Sequence, residues 1–184
     1  MIEGERVLLR PIGDTDWQVI EKWGRCREAL WGPFQRFQLD HLPLLREAYH
    51  QTGLLSRESG FLLIQAVEGD RVVGFVRYTM IQLPDADFPY PEIGFGIPAM
   101  GDRGKGFAKE AVGLLVNYLL SGYAAERVAA FTEVENIPAQ CVLEALGFQR
   151  EGILRHASFR DGLWRDISVY SVLRGERAGG KAEG

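Results

Sequence analysis

The run Arg103-Gly104-Lys105-Gly106-Phe107-Ala108 combines two glycines, two cations and the start of an apolar stretch. That combination suits holding an anion. The first amides of a helix lack intrahelical acceptors and carry partial positive charge, so they can face a phosphate or pyrophosphate. Gly104 and Gly106 let the backbone approach closely, and Arg103 and Lys105 add charge. Lys109 falls in the first helical turn, where a cation is unfavourable unless an anion is bound nearby. Two competing phosphate signatures are absent: no Gly-Lys-Ser/Thr closes the turn, and no G-x-G-x-x-G follows a first strand.

Upstream, P-E-I-G-F-G-I (91–97) alternates like a strand. Ile93, Phe95 and Ile97 point one way; Glu92, Gly94 and Gly96 point the other. The second face is nearly bare, with a carboxylate at one end. Glycine within a strand marks close approach of a ligand or of a packed neighbour, and here a ligand groove is the expectation. A second carboxylate, Glu133, alternates with Thr132 and Val134 and faces either the cleft or solvent. His41, His50 and His156 share no metal-ligand spacing with one another or with Cys26 and Cys141, so no metal is expected.

The elements that must position these residues follow from periodicity and turn chemistry. Arg6 to Ile12 reads as a first strand; Asp14 or Asp16 caps a helix carrying Trp17, Ile20 and Trp23. Asp40 caps a second helix with Leu44, Leu45, Ala48 and Tyr49 on one side. Phe61 to Val67 and Arg71 to Ile81 form a hairpin turning at Gly69-Asp70. Leu83 to Tyr90 is a loop. Helix Phe107 to Ser121 presents Phe107, Ala111, Leu114, Leu115 and Tyr118 as one stripe. Strand Arg127 to Val134 leads into helix Asn136 to Leu146, stopped by Gly147, and two long strands surround Asp161-Gly162. The order is β-α-α-β-β-β-α-β-α-β-β: an α/β fold of about seven strands in one mixed sheet, with helices on both faces. One domain over residues 1–174 is expected. Gly175 to Gly184, small and polar, reads as a disordered tail.

The glycine turn, preceded by a strand and opening an amphipathic helix, resembles the R/Q-x-x-G-x-G/A acetyl-CoA pyrophosphate loop of the Gcn5-related N-acetyltransferase (GNAT) superfamily. Asn136 through Phe148 (N-I-P-A-Q-C-V-L-E-A-L-G-F) is similar to the N-x-x-S…L-G-F block of ribosomal-protein acetyltransferases of the RimJ/RimL type. Glu151-Gly152, Asp161-Gly162, Asp166 and Tyr170-Ser171 look like that group's closing hairpin, and Arg6 to Trp17 like its opening. The similarity covers most of residues 5–173. It implies a twisted sheet that splays between the fourth and fifth of the strands just enumerated. Acetyl-CoA would lie with its diphosphate on Arg103, Gly104, Lys105, Gly106, Phe107 and Ala108. Its pantetheine arm would sit in the split beside Phe95, Gly96 and Ile97, with Asn136 also on the cofactor.

The implied reaction is acetyl transfer to a primary amine. An alkylammonium has a pKa near about 10.4 and a protein N-terminus about 8, so a base must take a proton. Glu92 stands eleven positions before Arg103, the offset at which histone acetyltransferases of the superfamily carry their base; it reads equally as a strand-edge Glu in a surface ion pair. Among apolar neighbours its carboxyl would titrate higher than usual. Glu133 is a weaker candidate. A backbone N–H near Gly96 to Ile97 would polarise the thioester carbonyl. Two positions depart from the pattern. Ala139 replaces a serine and Leu143 a tyrosine, both proposed acids for the departing thiolate, which leaves water, Tyr90 or Ser168. Cys141, on a short apolar helix, reads as filler rather than a nucleophile. Trp31, Phe34 and Phe37 read as core or interface, with an acceptor-pocket lining as the alternative.

The 184 residues are 46% hydrophobic and 25% charged, with a net charge of −4. That balance disfavours nucleic acid as a partner. With two cysteines, no spanning apolar run and no signal segment, the expectation is a cytoplasmic protein without a membrane partner. The acceptor is either a protein N-terminus or a small cationic amine; Asp85-Ala86-Asp87 would favour the cation if it lay near the cleft. Relatives of this kind often form homodimers. The alternatives are a catalytically silent coenzyme A-binding sensor or structural subunit, and a nucleotide-binding protein using the same helix N-terminus.

Overall fold

Both hairpins turn on two residues of positive φ. Gly69 (77°) and Asp70 (48°) join β3 (Ser59–Ala66) to β4 (Arg71–Ile81), and Asp161 (53°) and Gly162 (77°) join β7 (Gln149–Arg160) to β8 (Leu163–Leu173). Such turns match the right-handed twist of the strands they connect. The computed structural model describes residues 1–25, 34, 41–84 and 86–176. Its strands form one eight-stranded sheet in the order β1-β2-β3-β4-β5-β6-β8-β7. The strand beyond the expected seven is β1 (Ile2–Glu3), which pairs with β2 (Val7–Arg10); two residues are too few to show alternation. Every pairing is antiparallel except β5 (Tyr90–Gly96) with β6 (Arg127–Glu133), which is parallel.

Helices cover both faces. α1 (Trp17–Arg25) and α2 (His41–Thr52) close a smaller core of Ile12, Trp17, Ile20, Trp23, Leu63 and Phe75. The inner side of α2 carries Leu42, Leu45 and Tyr49, while Leu44 is exposed. The Asp40 cap, Trp31, Phe37, Asp85, Cys26 and residues 177–184 lie outside the described residues. On the other face α3 (Phe107–Gly122) and α4 (Ile137–Glu144) pack with Val76, Tyr78, Ile93, Ala130 and Tyr170.

The buried side of α3 is Ala111, Val112, Leu115, Val116 and Leu119, and Tyr118 points out. The expected stripe is therefore rotated, because a helix apolar almost all round gives its own sequence little rotational signal. The fully buried valines and leucines on that side contribute roughly 1.5–3 kcal/mol each, so the helix and the turn before it are held firmly to the sheet. Glu176, the last described residue, is bonded back to the sheet. The Glu176 carboxylate accepts from Leu173 N (3.0 Å) and from Gln149 Nε2 (2.9 Å).

Candidate functional site

β5 and β6 pair only at Glu92↔Ala129 and Ile93↔Ala130. Beyond that point β5 continues through Gly96 and β6 through Glu133, and the strands part. The split expected between these two strands is present. A cleft of about 310 Å³ occupies it and is lined by residues from both faces of the sheet. Cross-strand pairs share a face, so the lining sorts by register. From the α3–α4 side come Ile93, Phe95, Ala130, Thr132, Asn136, Ala139 and Leu143. From the α1–α2 side come Phe75, Arg77, Gly94, Phe131, Glu133 and Ile167, together with Ser158 and Phe34.

The glycine turn lies ahead of α3. A 3₁₀ turn at Met100–Asp102 leads into Gly104 (φ 74°) and Gly106 (φ 85°). These left-handed values strain any residue with a Cβ. Gly106 is the N-cap and offers no side chain, so the first-turn amides of α3 remain open to an outside acceptor. Arg103 does not point at that position. Its Nε and Nη2 donate to the carbonyls of Ile97 (2.9 Å) and Pro98 (3.0 Å), tying β5 to the turn. Lys105 Nζ lies 3.4 Å from Asp102 Oδ1, and Asp102 is gripped by Arg71 (Nη1–Oδ2 2.7 Å). Those Arg71 hydrogen bonds hold the Asp102 carboxyl below its ordinary range. A cation that the spacing could not reveal also stands here. Arg6 Nη1 donates to Lys105 O (3.3 Å), and its backbone N–H donates to Glu110 Oε1 (2.8 Å) on α3. Ninety-nine residues separate Arg6 from Lys105. No local signal links them.

The bare face of β5 is filled by its neighbour. A Cβ on Gly94 would stand 2.7 Å from Arg77 Nε, and one on Gly96 would stand 2.9 Å from the Phe75 ring. These glycines make room for β4 side chains, so the groove is at the split edge and not over that face. Phe95 lines the cleft; Gly96 and Ile97 lead away from it toward the turn.

Glu92 is buried, and it is not surrounded by apolar groups alone: Arg77 Nη1 donates to its Oε2 at 3.0 Å and Nη2 to Oε1 at 3.4 Å. Glu133 is not a solvated strand end. It is 5% exposed, and Arg160 clasps it through Nε–Oε1 and Nη2–Oε2, both 2.8 Å. Those hydrogen bonds raise the Arg160 pKa further. Phe34 lies under the same guanidinium, 5.8 Å from ring centre to Cζ, and thus borders the cleft.

Asn136 caps α4, its Oδ1 accepting from Ala139 N (3.4 Å), while Nδ2 donates to Thr132 Oγ1 (2.9 Å). Ala139 and Leu143 face the cleft, so the missing hydroxyls matter at that wall. Neither substitute named from the sequence lines it. Tyr90 lies under Arg127 at the far end of β5, and the Ser168 hydroxyl is buried without a hydrogen-bond partner among the described residues. Cys141 is exposed and outside the lining, not packed as filler. Among the described residues, no group of three His, Cys, Asp or Glu side chains is arranged to hold a metal ion, and no helix is long and apolar enough to cross a membrane.

A family model described as the acetyltransferase (GNAT) domain matches residues 6–149. The chain is 37% identical over 112 residues to the uncharacterized N-acetyltransferase p20 of Bacillus licheniformis, a match spanning 61% of each protein. It is 27% identical over 180 residues to the probable N-acetyltransferase YjcK of Bacillus subtilis, covering 94% of this chain and 97% of that one. Among solved structures, spermidine N-acetyltransferase from Vibrio cholerae, in complex with CoA and spermine, superposes with a TM-score of 0.77 at 20% identity, covering 93% and 97% of the two chains. Ribosomal-protein-S5-alanine acetyltransferase from Vibrio fischeri gives 0.70 at 22%, covering 96% and 97%. At these identities the superpositions speak for the fold.

Proposed function

The chain belongs to the GNAT acetyltransferase family, and on that premise we propose that it moves an acetyl group from acetyl-CoA directly to a primary amine. The observation that carries this reading is the parting of β5 and β6 after two ladder positions, which leaves a cleft between the end of β5 and β6, with an uncapped helix N-terminus following β5. The turn suits the diphosphate: the amides of Phe107 and Ala108 are open, Gly104 has nothing within 4 Å of a would-be Cβ, and Arg6 and Lys105 supply charge. Phe95 and Asn136 border the split in which the pantetheine arm would run. Bound acetyl-CoA supplies the activated acetyl group.

Glu92 is the base in this reading. Arg77 fixes its carboxylate on the acceptor face, where it takes a proton from the incoming ammonium directly or through one water. Glu133, clasped by Arg160, shapes the opposite wall.

Charge matching favours an acceptor with one ammonium, such as a peptide N-terminus or a small monoamine. Glu133, which lines the cleft, and Glu92, on the same sheet face but outside the lining, each already have an arginine, so a polyamine would bring charges that these walls do not balance. A ribosomal-protein substrate of the RimJ/RimL kind fits that class. A cytoplasmic setting belongs to this reading, since the free thiol of Cys141 would stay reduced there.

The test is a thiol-release assay with acetyl-CoA against peptides of varied N-terminus, monoamines and spermidine, with products weighed by mass spectrometry. Monoacetylation of a peptide or monoamine supports the reading, and a strong preference for spermidine overturns the acceptor class. Release with no amine, despite tight CoA binding, would favour the silent sensor. Thermal stabilisation by ATP or NAD but not CoA would favour a nucleotide-binding protein.

A further inference from the structure

Cleaving a thioester places negative charge on sulfur, and a donor aimed at that charge lowers the barrier. On the α3–α4 wall of the cleft, Ile93, Ala130, Ala139 and Leu143 offer no side-chain donor. Thr132 is the hydroxyl on that wall. We propose that Thr132 is a catalytic hydrogen-bond donor to the leaving sulfur, an inference that rests on the acetyl-CoA reading above.

The argument comes from the direction of its hydrogen bonds. Asn136 Oδ1 accepts from Ala139 N as the cap of α4, which fixes the orientation of the side-chain amide. The other end of that amide, Nδ2, donates to Thr132 Oγ1 at 2.9 Å. A threonine hydroxyl has one proton and two lone pairs. Among the described residues its single hydrogen bond is this one, in which the oxygen accepts, so the proton is left to point elsewhere. Thr132 is half-buried at the end of β6, just past the last ladder position shared with β5, and it lines the split. The Asn136 bond also polarises the hydroxyl and strengthens it as a donor. Ser158 also lines the cleft, but from the acceptor side with Glu133.

In the step itself the amine nitrogen forms a bond to the thioester carbonyl carbon. The C–S bond breaks and its electron pair stays on sulfur. Glu92, having passed the ammonium's first proton to solvent, or its water then takes the second proton, which the nitrogen sheds once the new bond has formed. Thr132 donates a hydrogen bond to the developing thiolate and keeps its own proton throughout, and the thiolate is protonated by solvent on leaving.

The experiment compares wild type, Thr132→Val and Thr132→Ser in single-turnover acetyl transfer, with CoA affinity by calorimetry and thermal melting alongside. The valine variant should melt normally, bind CoA within about twofold, and transfer about 10- to 100-fold more slowly, the range for a hydrogen bond to a charged group. Serine should restore most of the rate. Unchanged transfer by Thr132→Val overturns the donor role alone. A loss of CoA affinity that matches the loss of rate overturns it too, since the contact would then be a ground-state one. Wild-type protein that binds CoA and acetylates no amine overturns the acetyltransferase reading and this inference together.

Discussion

On its α3–α4 side the cleft is bounded mostly by small or apolar side chains, Ala130, Ala139 and Leu143 among them, and the chain beyond the end of β5 runs into two left-handed glycines and an uncapped helix start. On its α1–α2 side it is lined by one member of each of two arginine–carboxylate pairs, Arg77 of Arg77–Glu92 and Glu133 of Arg160–Glu133. The first wall suits a ligand whose handles are phosphates and amides and whose identity need not vary. The second suits an acceptor and holds its charges in balance. In the proposed reaction, specificity would thus rest on side chains of one face and cofactor binding on the local path of the chain at the other.

The sharpest way to break that division is to disarm the acceptor wall alone. Glu92→Gln should lower kcat by about 10²- to 10⁴-fold, the usual contribution of a general base, with CoA affinity by calorimetry unchanged. An equal loss of CoA binding would mean that the two walls are not separable. Arg160→Met leaves Glu133 buried without its main partner and should cost about 3–5 kcal/mol in chemical denaturation. The double variant Glu133→Leu/Arg160→Met should recover most of that stability while remaining poor in transfer, which would separate the pair's role in the acceptor wall from its role in the fold.

On the opposite wall Gly106→Ala adds a Cβ at φ 85°, 3.1 Å from Arg6 Nη1. Left-handed backbone costs such a residue roughly 1–2 kcal/mol, so CoA should bind about tenfold more weakly while kcat at saturation changes little. The smallest effect expected is with acid. Asp102 braces the turn and titrates below its ordinary value of 3.8 because Arg71 bonds its carboxylate. Its contribution is therefore complete above that value and is lost as pH falls through the lower folded one. Thermal melting from pH 7 to 3 should show a steeper fall below about pH 4 in wild type than in Asp102→Asn.

What the sequence revealed follows the same division. The turn at 103–108, α3, the Asn136 cap and both hairpins rest on interactions within a few residues, and glycine, asparagine and aspartate announce them. Glu92 and Glu133 could be placed on strand faces by alternation, but their partners could not be named, because Arg77 and Arg160 lie 15 and 27 residues away across the sheet. Gly94 and Gly96 looked like a ligand groove since a strand does not disclose what its neighbour lays across it; Arg77 and Phe75 do so here. Arg6 reaches the turn only through the placement of β2 beside α3. The split between β5 and β6 has no composition of its own and was implied by family resemblance alone.

The most direct measurement is hydrogen exchange of the intact protein with and without saturating CoA. Amides at 93–97 and 104–108 should both slow, one set beside the pantetheine arm and the other beneath the diphosphate. CoA binding that leaves both segments exchanging at their free rates, or that protects a different surface, would contradict the placement from which the acetyl transfer has been derived.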